Sequence, residues 1–219
     1  MPLFPSDDLF TEPAQSGRLQ LGPEAWLLRG FALEAVDGLL GALAEVEARA
    51  PFRHMETPGG YRMSVAQTNC GALGWISDRH GYRYSPIDPH SGQAWPPMPP
   101  AFLRLAGLAA AEAGFPHFVP DACLINRYLP GAKLSLHQDR DERDLAAPIV
   151  SVSLGLPAVF QFGGARRAAR PERVPLLHGD VVVWGGVDRL RYHGVLTLKP
   201  GNHSLLGAQR LNLTFRHAG

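Results

Sequence analysis

Apolar residues recur every three or four positions from Leu33 to about Ala50, where Leu33, Val36, Leu39, Leu40, Leu43 and Val46 share one side of a helix and Pro51 ends the pattern. A second helix is expected from Pro100 to Ala113, with prolines at its start and Gly114 just past its end. Leu103, Leu105, Leu108 and Ala111 would supply most of its buried side. After Pro120 the period changes. CLINRY, KLSLHQD, PIVSVSLG, AVFQFGG, RVPLL, DVVVWGG, LRYHGV and RLNLTFR have strand length and are rich in β-branched and aromatic residues, with no helical pattern between them. The fold expected is mainly β with flanking helices, its core a sandwich or jelly roll and not a βαβ sheet.

Residues 1–30 carry no clear period, and two further stretches resist a regular reading. Thr57–Trp75, TPGGYRMSVAQTNCGALGW, opens on a Pro-Gly-Gly turn signal and continues as a strand-like run; Asp88–Pro100 is a proline-rich loop. Long irregular segments in a small protein are frequently lids or binding loops. The chain is thus expected to divide into an N-terminal extension with one helix (1–50), a segment of lid or binding-loop character (51–90) and the main core (91–219), within one domain.

The 219 residues suit a single domain, and a formal net charge of +1 excludes a polycation. Any nucleic-acid contact must come from a local patch. Arg53, Arg62, Arg79 and Arg83 are candidates, against the plainer reading of a solvated arginine-bearing surface. Cys70 and Cys123 form no C-x-x-C pair and read as reduced thiols. The opening MPLFPSDDLF has acids where a leader has basic residues, and no segment approaches the roughly 20 apolar residues that span a bilayer. A soluble cytoplasmic protein without membrane contact is expected.

In KLSLHQD, alternation puts Ser135, His137 and Asp139 on one face and Leu134 and Leu136 on the other. Two imidazoles and one carboxylate on one face of an octahedron leave open positions, the arrangement used by oxygen-activating iron(II). His193, at the end of a predicted strand, would be the third ligand. A second His-x-Asp, at His178 and Asp180, sits in a glycine turn and reads as a surface histidine. Trp184, inside VVVWGG, reads as core.

RLNLTFR places Arg210, Asn212, Thr214 and Arg216 on one face, with Leu211, Leu213 and Phe215 on the other. Two inward guanidinium groups are costly to bury unless anions satisfy them, and a small dicarboxylate matches their planar forks. CLINRY adds Asn126 and Tyr128 on one face as hydrogen-bond donors.

Together these residues resemble the AlkB family of iron(II)/2-oxoglutarate oxygenases. The likeness runs through PFR, TPGGY, MSVA, TNCG, GYRYSPIDP, PDACLINRY, PGAKLSLHQD, PIVSVSLGLP, FQFGG, HGDVVVWGG and NLTFR, over about residues 51–218, and is weak over 1–50. It implies a double-stranded β-helix and repair of alkylated bases such as 1-methyladenine and 3-methylcytosine. The cofactors would be Fe(II), 2-oxoglutarate and O2, and the products formaldehyde, succinate and CO2. By the resemblance, His137, Asp139 and His193 hold the metal, while Asn126, Tyr128, Arg210, Asn212 and Arg216 hold 2-oxoglutarate. Arg210 would take its distal carboxylate and Arg216 would lie nearer the metal. The segment 57–90 would be the nucleotide-recognition lid. Trp75 would stack on the extruded base with His137 on its other face, and Tyr82 would meet the nucleic-acid backbone. Asp141 would read the exocyclic amine and Arg167 would line the substrate site. Glu142, its neighbour in DRDERD, reads as an exposed loop residue.

The implied partner is alkylated DNA, single-stranded or with its base flipped out, with RNA open as a second substrate and the chain acting as a monomer. Gln67, where the family's founding member has methionine, bears on lid packing or substrate preference. Leu211, replacing a tyrosine, faces away from the pocket and should matter little. Two other readings stand beside this one: an oxygenase of the same chemistry acting on protein or a small molecule, and a non-enzymatic nucleic-acid-binding module. A closed structural zinc site would be a third.

Overall fold

A computed structural model describes residues 17–219. The reading of Met1–Phe10 as lacking a leader lies outside the described residues. In chain order the elements are β1 (Gly17–Gly22), β2 (Ala25–Arg29), α1 (Val36–Arg49), β3 (Ala66–Gly71), β4 (Gly74–Asp78), β5 (Gly81–Ser85) and α2 (Pro100–Glu112). Then come β6 (Ala122–Tyr128), β7 (Leu134–His137), β8 (Ile149–Gly155), β9 (Ala158–Phe162), β10 (Glu172–Leu176), β11 (Val181–Trp184), β12 (His193–Val195) and β13 (Arg210–Arg216). All eight runs expected after Pro120 contain a strand.

The strands form a seven-stranded antiparallel sheet in the order β1-β2-β11-β8-β13-β6-β3, a four-stranded sheet β10-β9-β12-β7, and the separate hairpin β4-β5. Period-two alternation sorts each central strand between two cores. Val150, Val152, Leu154, Leu211, Leu213 and Phe215 meet α1 and α2 on one face of the large sheet. Ile149, Val182 and Trp184 meet Phe160, Phe162 and Val174 of the small sheet on the other. The fold is a double-stranded β-helix with both helices on one outer face. Phe102 of α2 packs edge-on to Phe215 at 5.9 Å, a contact in which each buried aromatic contributes about 1.5–3 kcal/mol.

Four differences from the sequence reading have physical reasons. Residues 17–29, where no period was visible, form two strands that extend the large sheet, so the segment 1–50 supplies sheet as well as a helix. The segment 51–90 likewise gives β3 to the large sheet and only β4–β5 to a separate hairpin. On α2, Leu103 and Leu108 are exposed. Phe102, Leu105, Ala106, Ala109 and Ala110 face inward, because small alanines let the helix approach the sheet closely. The proline-rich loop is packed and not open. Trp95 is buried in it, and Arg53 binds Asp88 through two nitrogens while lying over the Trp95 ring.

Candidate active site

Strands β7 and β12 pair with His193 directly opposite His137, and their imidazoles lie 4.4 Å apart, centroid to centroid. Asp139 follows two residues after His137, just past the strand end. His137 Nδ1 donates to the Ser135 carbonyl at 2.9 Å, and His193 Nδ1 donates to the Arg191 carbonyl at 3.0 Å. Carbonyl oxygens only accept, so both rings carry their proton on Nδ1 and present a lone pair on Nε2. Those Nε2 atoms lie 3.5 and 3.6 Å from the two Asp139 oxygens, and one ligand atom from each residue fits within 4.8 Å of the others. Burial alone would raise the Asp139 carboxyl, but Arg216 and the two histidines hold it well below the usual range. An ionised oxygen and two nitrogen lone pairs facing one point fit a divalent metal with open positions.

Arg210 is 1% exposed and, among the described residues, has no carboxylate partner. One of its nitrogens donates to Ser153 Oγ at 2.9 Å, while Nε and Nη1 have no partner, and neither has the buried hydroxyl of Tyr128, whose ring lies under its guanidinium. A buried cation without a counter-charge is costly, and an anion supplies what is missing. Asn126 and Asn212 extend this polar face, linked by a hydrogen bond of 3.3 Å. Arg216, at the other end of β13, donates to Asp139 Oδ2 at 2.6 and 3.1 Å.

Glu142 corrects the sequence reading, since it is 7% exposed while Asp141 is the exposed neighbour. Its carboxylate meets Arg216 Nε at 3.2 Å and Arg189 at 3.1 Å, and accepts from the Tyr84 hydroxyl at 2.7 Å. Arg189 also donates to the Asp139 carbonyl at 2.7 Å. A buried carboxylate thus ties the β5 hairpin strand to Asp139 of the His-Asp-His cluster through two arginines. In sequence Glu142 is one acid in a charged run; only the fold turns it inward.

At the cavity mouth Trp75 and Tyr82 stack on each other across β4–β5, with centroids 5.5 Å apart and planes 14° from parallel. Tyr82 is exposed and Trp75 half-buried, so neither is a core aromatic. Trp75 Nε1 donates to Asp141 Oδ2 at 3.0 Å. Arg167 is exposed on the loop between β9 and β10 and lines the same cavity, whose volume is about 750 Å³ and which also reaches Arg210 and the triad. The proposed arginine patch breaks up, because Arg53 is bound to Asp88 and Arg83 to Asp78 at 2.7 Å. Gln67 sits on β3 of the large sheet, opposite Asn126, and not on the hairpin. Leu211 packs toward the helices, as expected, and Trp184 is core, with its indole edge-on to His193 at 5.0 Å.

His178 and Asp180 do not line this cavity. Asp180 is fully buried and binds Arg29 at 2.5 Å, while His178 Nδ1 accepts from the Gly155 amide at 2.9 Å.

The 2OG-Fe(II) oxygenase superfamily matches residues 26–216. The chain is 58% identical over 212 residues to the alpha-ketoglutarate-dependent dioxygenase AlkB of Escherichia coli, covering 97% of this chain and 98% of that one. It is 44% identical to the AlkB homolog of Caulobacter vibrioides, over 85% of this chain and 83% of that protein. The solved structure of OsALKBH1 superposes with a TM-score of 0.80 at 28% identity, covering 92% of this chain and all of that one.

Proposed function

The chain belongs to the 2OG-Fe(II) oxygenase superfamily, and on that premise we propose that it repairs alkylated DNA by oxidative removal of N-methyl groups from bases such as 1-methyladenine and 3-methylcytosine. Succinate, carbon dioxide and formaldehyde are the by-products. One observation carries the reading: a single cavity is lined by an uncountered Arg210, a His-Asp-His cluster, and an indole hydrogen-bonded to an exposed carboxylate.

His137 Nε2, His193 Nε2 and an Asp139 oxygen would hold Fe(II). Arg210 and the Tyr128 hydroxyl would take the distal carboxylate of 2-oxoglutarate, with Asn126, Asn212 and Arg216 nearer its metal-binding end. Bound there, iron and 2-oxoglutarate would supply the oxidising power for removal of the methyl group. The protein's own share is binding, orientation and exclusion of water. The second carbonyl-bound nitrogen of each histidine fixes its ring, so neither ligand has to reorganise when the metal arrives. Phe160 and Trp184 wall the side of His193 and keep it dry.

Trp75 would stack on the base, backed by Tyr82, with His137 across from it. Asp141 would exchange the indole N–H for the exocyclic amine of the base. Such a pose requires a base that is unpaired, in a single strand or flipped out of a duplex. Tyr82, exposed beside the mouth, would meet the nucleic-acid backbone, and Arg167 would line the substrate site. RNA offers the same bases and is a second substrate of this reading. The chain would act as a monomer in the cytoplasm; no helix among the described residues is long and apolar enough to cross a membrane.

The test is incubation with Fe(II), 2-oxoglutarate and a defined panel of methylated DNA and RNA oligonucleotides, read by mass spectrometry. Loss of one methylene per succinate formed is expected. Succinate formation with every methylated oligonucleotide left intact would refute a nucleic-acid substrate.

A further inference from the structure

The side-chain amides that cross β13, β6 and β3 have a fixed polarity. The series starts at the Val152 carbonyl, which only accepts, so Asn212 presents Nδ2 to it at 3.0 Å and to Ser151 Oγ at 2.8 Å. Asn212 Oδ1 therefore faces away from that carbonyl and accepts from Thr214 Oγ1 at 3.2 Å and from Asn126 Nδ2 at 3.3 Å. That orientation turns Asn126 Oδ1 toward β3, where Gln67 Nε2 donates to it at 2.9 Å. Flipping the Gln67 amide would set two acceptor oxygens against each other. Gln67 Oε1 is thereby left as an acceptor, buried and without a hydrogen-bond partner.

A buried acceptor needs a donor. The carboxylates and keto group of 2-oxoglutarate at physiological pH offer only acceptors, so the co-substrate does not supply one. Gln67 lines the same cavity as Trp75 and Asp141. Alternation along β3 puts it on the same face as Asn69, whose amide holds the Trp75 backbone through two hydrogen bonds of 3.0 Å. The acceptor thus stands on the strand face that fixes the base-stacking indole.

We infer that Gln67 is a specificity-determining residue whose Oε1 accepts an N–H of the exocyclic amine of the target base, Asp141 taking the other hydrogen; this rests on the nucleobase-dealkylase reading above. An amine carries two hydrogens, and two acceptors select it over a carbonyl, which would leave Gln67 unsatisfied and add a lone pair facing it.

The experiment compares wild type with Gln67→Met, loaded with Fe(II) and 2-oxoglutarate under anaerobic conditions so that binding is read without turnover. The probes are short single-stranded oligonucleotides carrying one 3-methylcytosine, one 3-methylthymine (a carbonyl in place of the amine), or one 3-methylcytosine in RNA, and binding is followed by fluorescence anisotropy. Gln67→Met should weaken binding of both 3-methylcytosine probes about tenfold, the effect of one hydrogen bond, and leave 3-methylthymine unchanged or tighter. Equal loss on all three probes, no loss on any, or loss confined to the RNA probe (a sugar hydroxyl as the donor) would each overturn the assignment. Thermal unfolding checks that the variant folds; if it does not, Gln67→Asn, which keeps the amide and withdraws its oxygen, is read against the same outcomes. The two levels separate in aerobic turnover. Wild type that demethylates no oligonucleotide defeats the dealkylase reading, whereas wild type that demethylates beside a Gln67→Met variant with unchanged base preference defeats only the role of Gln67.

Discussion

The chain contains the pattern His-x-Asp twice, and the two copies are put to opposite use. At His137 the middle residue is Gln138, the first residue ends a strand, and both side chains enter the cavity. At His178 the middle residue is Gly179 with φ +85°, a backbone region glycine adopts freely, and the chain reverses there. The imidazoles are used from opposite ends. His137 donates from Nδ1 to a carbonyl and offers Nε2, whereas His178 accepts at Nδ1 from an amide and so carries its proton on Nε2, where a metal would have to bind. The aspartates differ as well. Asp139 faces two imidazoles and Arg216, while Asp180 is spent on Arg29 and the amides of Gly30 and Leu177. Ligand capacity therefore lies in which lone pairs the backbone leaves free, and not in the residue pattern.

Truncating the first copy should have the largest effect. His137→Ala removes one of the three candidate ligand atoms, so on the proposed reading iron affinity and succinate formation should fall to background while the fold persists. His178→Ala should retain iron binding within about twofold, since its Nε2 carries the proton and, among the described residues, no carboxylate lies within reach of its ring, Asp180 being bound to Arg29. Iron titration by calorimetry of both variants checks the pair. Retained iron binding in His137→Ala would break the comparison.

The second copy should matter instead to stability. Asp180→Ala leaves Arg29 and two turn amides without their acceptor at a fully buried position, which costs about 3–5 kcal/mol. Urea unfolding measures this, and turnover per folded molecule should stay at the wild-type value. A loss of turnover larger than the loss of folded protein would mean that Asp180 serves the chemistry.

A smaller effect should show that only the first copy is wired to the mouth of the cavity. Tyr84 reaches Glu142, which reaches Arg216 and, through it, Asp139. Tyr84→Phe removes one hydrogen bond, about 1 kcal/mol. The KM for a methylated oligonucleotide should rise about fivefold with kcat and the Kd of 2-oxoglutarate nearly unchanged. Loss in kcat alone would place Tyr84 in the chemistry and not in the positioning of the hairpin.

Much of this was legible in the residues. RLNLTFR announces its polar and apolar faces by alternation, and the structure sends Leu211, Leu213 and Phe215 to the helices and Arg210 to the cavity. His193 became legible as a partner of His137 only together with the polar face of RLNLTFR, and the strand pairing that sets the two opposite each other is visible only in the fold. Other features left no local trace. β1 is exposed over Gly17–Gln20 and so shows no alternation, its strand state being set by pairing with β2. The hairpin β4–β5 has strands of only five residues joined through Arg79 and His80, too short for a period to be read. Helical spacing located α2 but not its rotation: five inward positions are dominated by alanine, and leucines at the edge mimic a buried stripe. Glu142 was hidden because inward and outward acids of DRDERD look alike until Arg189, from the turn between β11 and β12, and Arg216, from β13, arrive beside it.

The smallest expected effect concerns pH and separates the two histidines once more. Burial, then the neighbouring His203 ring 4.4 Å away, hold His178 below its ordinary value of 6.5. Protonation at Nδ1 would also cost the hydrogen bond from the Gly155 amide. A group that binds its proton less tightly in the fold than in the unfolded chain contributes stability that is complete above the unfolded value and is lost as pH falls through the folded one. His178→Gln removes the titration. The stability of wild type relative to that variant should therefore be flat from about pH 8 to about pH 7 and decline steadily toward about pH 5. Urea unfolding across that range measures the difference at each pH. A parallel pair of curves would mean that His178 gains its proton without leaving Gly155, and the second copy of the pattern would then be as indifferent to its charge as an exposed histidine.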